Sequence, residues 1–108
     1  MPEQITIPEA ILEEIIEEDR VLVILPGDCD IPLGEAEFVA EDDPSEHVEV
    51  KVVRTSRARL KHVPVSDRVL NGTEDLMETL VRLRQWSETD INLDDVVTVV
   101  RFETAEEE

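Results

Sequence analysis

The chain has 108 residues, with 28 Asp+Glu against 10 Lys+Arg and a formal net charge of −18. That length accommodates one domain with a modest core, and 41% apolar residues can build it although aromatics supply only 3%. No apolar run approaches the roughly 20 residues that span a bilayer, so no membrane partner is expected, and the charge disfavours strong generic attraction to a nucleic-acid backbone.

Thr6-Ile7-Pro8-Glu9 reads as a helix start. Thr6 can cap free backbone N–H groups, Pro8 suits the first turn, and Glu9 stands three residues after Thr6 as in a capping box. Ile11, Leu12, Ile15 and Ile16 then recur at helical spacing, and the helix is expected to end near Glu18. Val21 to Leu25 is an apolar run of strand length, stopped by Pro26-Gly27-Asp28 with turn chemistry. Residues 31–40 carry Ile31, Leu33, Ala36, Phe38 and Ala40, with Gly34 marking a bend or bulge. Glu41 to Ser45 is a polar turn. His47 to Thr55 alternates Val48, Val50 and Val52 with polar neighbours, the pattern of a half-buried strand. Leu60 and Val63 belong to a further strand-like piece, and Ser66 to Leu70 to a short helical turn. Thr73 to Gln85 reads as the second main helix, with Leu76, Leu80 and Leu83 on one face and Met77, Val81 and Trp86 broadening it. Val96 to Phe102 is the last strand.

The order of helix, strands, helix and strand predicts an α+β fold. Two main helices are too few to cover a large open sheet on both faces, so a small, strongly curved mixed-sheet β-barrel plugged by helices is the economical expectation, with a ferredoxin-like layer as the alternative. A single domain over 1–103 is expected, with 104–108 an acidic, disordered tail. The low lysine content, Lys51 and Lys61 alone, joins the acid excess in suggesting a salt-rich cytoplasm. A surface this acidic repels itself in dilute buffer, whereas at molar salt the Debye length falls to about 3 Å. The N-terminal residues lack the basic-then-apolar order of a secretory leader. The single cysteine, Cys29, has no internal partner and fits a reducing compartment.

Signals for chemistry are sparse. His47, His62 and Cys29 show no metal-ligand spacing, and no cofactor is expected. Asp28 and Asp30 flank Cys29, and their charge disfavours a nucleophilic thiolate. The basic residues are unevenly placed. From Asp28 to Glu49 there are nine acids and no Lys or Arg, whereas Lys51 to Arg68 holds Lys51, Arg54, Arg57, Arg59, Lys61 and Arg68 against Asp67 alone. This is the candidate anion-facing surface, since arginine offers a planar fork of donors suited to phosphate. The alternative is that these arginines pair with neighbouring carboxylates. Trp86, placed after an amphipathic helix, is expected to pack; exposure beside a cleft would make it a stacking residue.

The whole pattern resembles the ASCH-domain family, small proteins with a PUA-like β-barrel. The residues that carry the resemblance are the amphipathic first helix and the strand after it, Gly27-Asp28, and the valine-rich strand at Val48 to Val53. The segment from Leu60 to Gly72, the following helix, and the closing Val97-Thr98-Val99-Val100-Arg101-Phe102-Glu103 complete it. The resemblance implies RNA recognition in the cleft of a barrel. Some members are amidohydrolases acting on an acetylated cytidine nucleoside through a lysine, a threonine and a glutamate. The lysine and threonine of those members lie in a GKTxTxR-like stretch after the first helix. The matching stretch here, Asp19 to Leu25, has Arg20 for the lysine, Val23 for the threonine and Leu25 for the arginine. The glutamate falls near Leu70 or Asn71. Arginine is a poor proton shuttle and valine carries no hydroxyl, so the resemblance implies a noncatalytic relative.

The expected function is therefore a noncatalytic module binding RNA, a nucleotide or a small anion. Its candidate contacts are Arg20, Gly27 and Asp28 at the cleft rim, with Arg54, Arg57 and Arg59 adding donors. Arg57 and Arg59 share a face if their segment is extended. The alternative is a protein-interaction or regulatory domain with a vestigial cleft, and hydrolysis ranks third. A cleft holding unpaired arginines favours the first; arginines in ion pairs beside exposed apolar surface favour the second.

Overall fold

A strand stands where the sequence suggested a helix cap. The computed structural model describes residues 3–18, 21–43, 45–70, 75–87 and 91–104, and its first element is β1, Glu3–Ile7. Ile5 and Ile7 are buried while Gln4 and Thr6 are exposed, a period of two that suits a strand. Thr6 pairs in register with Val39 instead of capping. The helix α1, Glu9–Glu18, starts after Pro8, whose carbonyl accepts the N–H groups of Ile11 and Leu12 at 3.0 and 3.1 Å. The chain continues through β2 (Leu22–Pro26), β3 (Gly34–Ala40) and β4 (His47–Arg59). A 3-10 turn at Leu60–His62, α2 (Val65–Leu70), α3 (Leu76–Ser87) and β5 (Val96–Thr104) complete it. Asp75 starts α3 by accepting the Met77 N–H on its Oδ1 at 2.9 Å.

The five strands form one mixed sheet in the order β1-β3-β4-β5-β2, with β1 parallel to β3 and the other neighbours antiparallel. This corrects the expected β-barrel: the sheet is open, and β1 and β2 are its two edges. Helices on both faces explain the difference. Every residue from Leu22 to Leu25 is buried, so β2 has core on either side, as strands between two helical layers do. On the first face, Leu12 and Ile15 of α1 pack with Ile5, Val23, Phe38, Val52, Val100 and Phe102. On the second, Leu80 and Leu83 of α3 pack with Leu22, Ile24, Leu60, Val97 and Val99. Helices on opposite faces also exclude the ferredoxin-like layer, whose helices share one face.

In place of aromatic bulk, the core has one edge-to-face pair, Phe38 and Phe102, with ring centroids 4.9 Å apart and planes at 67°. The strand expected to stop at Thr55 runs to Arg59, because a bulge between Val52 and Arg54 lets β4 bend and keep pairing with β5. β5 reaches Thr104, one residue into the expected tail; residues 105–108 lie outside the described residues. Among the described residues, no helix is long and apolar enough to cross a membrane.

Candidate functional site

The connection leaving β2 is tied to the sheet by one hydroxyl. Pro26 ends the strand, and Gly27 turns the chain at φ +86°, a left-handed conformation open to glycine at little cost. Thr98 of β5 is fully buried. Its Oγ1 donates to the Gly27 carbonyl at 2.8 Å and accepts the Cys29 N–H at 2.8 Å. Asp28, at the tip, accepts from Arg57 Nε at 3.0 Å. The loop is thus held from β5 by a part-buried hydrogen-bond pair and from β4 by an exposed ion pair.

The six residues singled out from the sequence do not form one cluster. Gly27, Asp28 and Arg57 come together. Arg57 and Arg59 stand opposite Thr98 and Val96 in the β4–β5 register, so the extended segment does place these two arginines on one face. Arg54 lies on the other face. The bulge reverses the alternation of β4, bringing Arg54 opposite Arg101, and its Nη2 is 3.6 Å from Asp67 of α2. Arg20 lies outside the described residues. The arginines at 54 and 57 are therefore occupied by carboxylates and separated by the sheet.

A groove lies between the two sheet edges. It has a volume of about 290 Å³ and is lined from β1 by Gln4, Ile5 and Thr6, from β2 by Leu25 and Pro26, and from the following loop by Cys29 and Ile31. Trp86, near the end of α3, closes it. The indole is half-buried and packs against both cores, so side chains and not backbone hydrogen bonds fill the gap that a barrel would close. The lining is mostly apolar, with Gln4 and Thr6 as its polar members. Gln4 donates from Nε2 to Glu37 at 3.1 Å. Glu37 on one side and Asp28 and Asp30 on the other make the surroundings acidic. Sequence reasoning missed β1 and Thr98; for Trp86 it expected packing, with stacking conditional on exposure beside a cleft. The lone tryptophan was the available signal.

Chemical signals elsewhere are few. Among the described residues, no group of three or more His, Cys, Asp and Glu could hold a metal ion. Val23, which the resemblance to the ASCH family set in place of a threonine, is fully buried in the first-face core. Leu70 ends α2, and Asn71 lies outside the described residues. Repulsion from Glu46, with a hydrogen bond between the two side chains, raises the Glu9 carboxyl above the usual carboxylate range, helped by Asp42 and Asp43. Lys61, 2.6 Å from Asp94, lowers that carboxyl by hydrogen bonding and charge.

No protein-family model matches the sequence, and no curated protein matches it. The fold is similar to the crystal structure of protein EF3133 from Enterococcus faecalis V583, described with the family model DUF984. The TM-score is 0.62 at 9% sequence identity, over 97% of this chain and 80% of that one. At that identity the likeness is one of fold.

Proposed function

We propose that this protein is a noncatalytic binding module whose ligand is a small planar ring without phosphates, a nucleobase or nucleoside, held in the groove between β1 and β2. The observation that carries this reading is Trp86, half-buried in an apolar groove of about 290 Å³. Apolar pockets with a few polar groups are the usual form of small-ligand sites, and this one is at the small end of their range. An aromatic face stacks on any base. Gln4 and Thr6 offer hydrogen-bonding groups at the base edge. The reading also follows from the resemblance to the ASCH family, with the emphasis moved from phosphate to base. Arg57 and Arg54 already serve Asp28 and Asp67, while Asp30, beside the lining residues Cys29 and Ile31, and Glu37, which accepts from Gln4, add negative charge that disfavours phosphate. Salt-insensitive stacking suits a protein of net charge −18 in a salt-rich cytoplasm.

The test is a titration with the four common ribonucleosides, followed by amide chemical shifts. Saturable shifts at Thr6, Cys29 and Ile31 are expected; their absence with the fold intact contradicts the reading.

A second reading, the protein-interaction domain, draws on exposed apolar side chains. Val65 and Val69, one turn apart on α2, are each 52% exposed; Met77 and Val81, one turn apart on α3, are 55% and 48% exposed. Concentration-dependent association that Val69→Ser and Met77→Ser abolish is the outcome that favours it.

A further inference from the structure

A separate groove of about 340 Å³ runs between α1 and α3. Pro8, Ala10 and Ile11 at the start of α1 and Trp86 on α3 make an apolar slot, and Gln85 flanks it. One turn along, Glu14 and Arg82 line the same groove. Arg82 is already occupied, with Nη1 3.4 Å from Glu14 and Nη2 3.7 Å from Glu78. Arg82 thus contacts a carboxylate from each helix. The helix behind them, EAILEEIIEE, carries five glutamates and no basic residue. An apolar slot ending in a carboxylate, beside an all-acidic helix on a chain of charge −18, is complementary to apolar and cationic groups close together. It repels a nucleic-acid backbone and a second copy of this chain alike.

We propose that this groove docks a basic amphipathic segment of a protein partner. One apolar side chain of that segment enters the slot beside Trp86, and a Lys or Arg reaches Glu14. The incoming cation competes with Arg82 for its carboxylate. Removing Arg82 therefore strengthens docking, whereas removing Glu14 weakens it, a pair of opposite effects that loss of structure does not produce.

The experiment titrates a short Leu/Lys amphipathic helical peptide, with a Leu/Glu peptide of the same pattern as control, into the full chain at moderate and molar KCl. Amide shifts at Ile11 and Gln85 report this groove; Thr6 and Ile31 report the groove between the sheet edges, so the two proposals fail separately. Saturable shifts at Ile11, Glu14 and Gln85 are expected with the Leu/Lys peptide and not with the control. Glu14→Gln is expected to weaken binding about two- to five-fold, and Arg82→Gln to tighten it by a similar factor, since exposed ion pairs have energies of that order. Thermal unfolding of both variants checks that each is folded. Shifts spread evenly over the acidic surface, equal affinity for wild type and Glu14→Gln, or the same shifts with a short single-stranded RNA overturn the proposal.

Discussion

Thr98 shows how much one side chain can fix. Its hydroxyl serves two backbone groups of the Gly27–Cys29 turn at 2.8 Å each, and replacing it by valine leaves both without that partner. Losing two part-buried hydrogen bonds costs about 1–3 kcal/mol in all, and a domain of this size loses roughly 4–8 °C of Tm per kcal/mol. Thr98→Val is expected to lower Tm by that amount and to speed hydrogen exchange at the Cys29 amide; Thr98→Ser is expected to restore both. Arg57 is a contrasting case. Its pair with Asp28 is 45% and 68% exposed, and such pairs contribute about 0–1 kcal/mol. Arg57→Gln is expected to leave Tm within a few degrees and nucleoside affinity unchanged. A large loss of affinity would restore the anion-binding role that the sequence suggested. The turn at Gly27 was legible in the sequence because glycine and aspartate after proline have local turn chemistry. The hold of Thr98 was not, because it spans 69 residues to Cys29.

At the scale of elements, local pattern read most of the fold and failed where two patterns compete. Gln4-Ile5-Thr6-Ile7 alternates as a strand should, yet Thr6, Pro8 and Glu9 also satisfy a capping pattern. Parallel pairing with β3, a long-range contact, decides for the strand. Missing β1 concealed one wall of the groove, and the barrel expectation rested on two helices being too few to cover an open sheet, whereas α1 and α3 cover one face each. The bulge after Val52 was equally hidden; it sets which face each arginine takes relative to Val48–Val52, while Arg54, an odd number of residues from Arg57 and Arg59, faces away from them by alternation alone. A basic cluster in sequence therefore became two loci in space. The helix stripes and the Val50–Val52 alternation survived because their periodicity matches the face each buries. The α1 stripe and the Val50–Val52 alternation meet at the Phe38–Phe102 pair, both fully buried. Phe102→Ala is expected to cost about 3–5 kcal/mol, measured by urea unfolding, whereas a loss below 1 kcal/mol would mean that this core is not the main support of the sheet.

For the whole molecule, charge governs behaviour in solution. Glu9, Glu46, Asp42 and Asp43 repel one another at the start of α1, and the Glu9 carboxyl is raised in consequence. A raised carboxyl means that the folded state binds its proton more readily than the unfolded state does. The stability linked to that proton is fully present below the ordinary pKa of 4.5 and is lost as pH rises through the raised value. At neutral pH Glu9→Gln is therefore expected to raise Tm in dilute buffer. The gain should shrink at molar KCl, where screening removes the repulsion; an equal gain at both salts would assign the effect to something other than charge. Asp94 works in the opposite sense: its support, through Lys61, is present above 3.8 and lost as pH falls through the lowered value. Under the proposed function, the same acidity turns the edge groove from phosphate towards an uncharged ring.

That claim is tested most directly by the fluorescence of Trp86, the only tryptophan in the chain. The intact protein is titrated with ribonucleosides and their 5′-monophosphates in moderate and molar KCl. Saturable quenching by at least one nucleoside that persists at molar KCl, with its monophosphate binding more weakly at moderate salt, is the expected result. No saturable response from any nucleoside while the fold is intact, or tighter binding of the monophosphates, would contradict it.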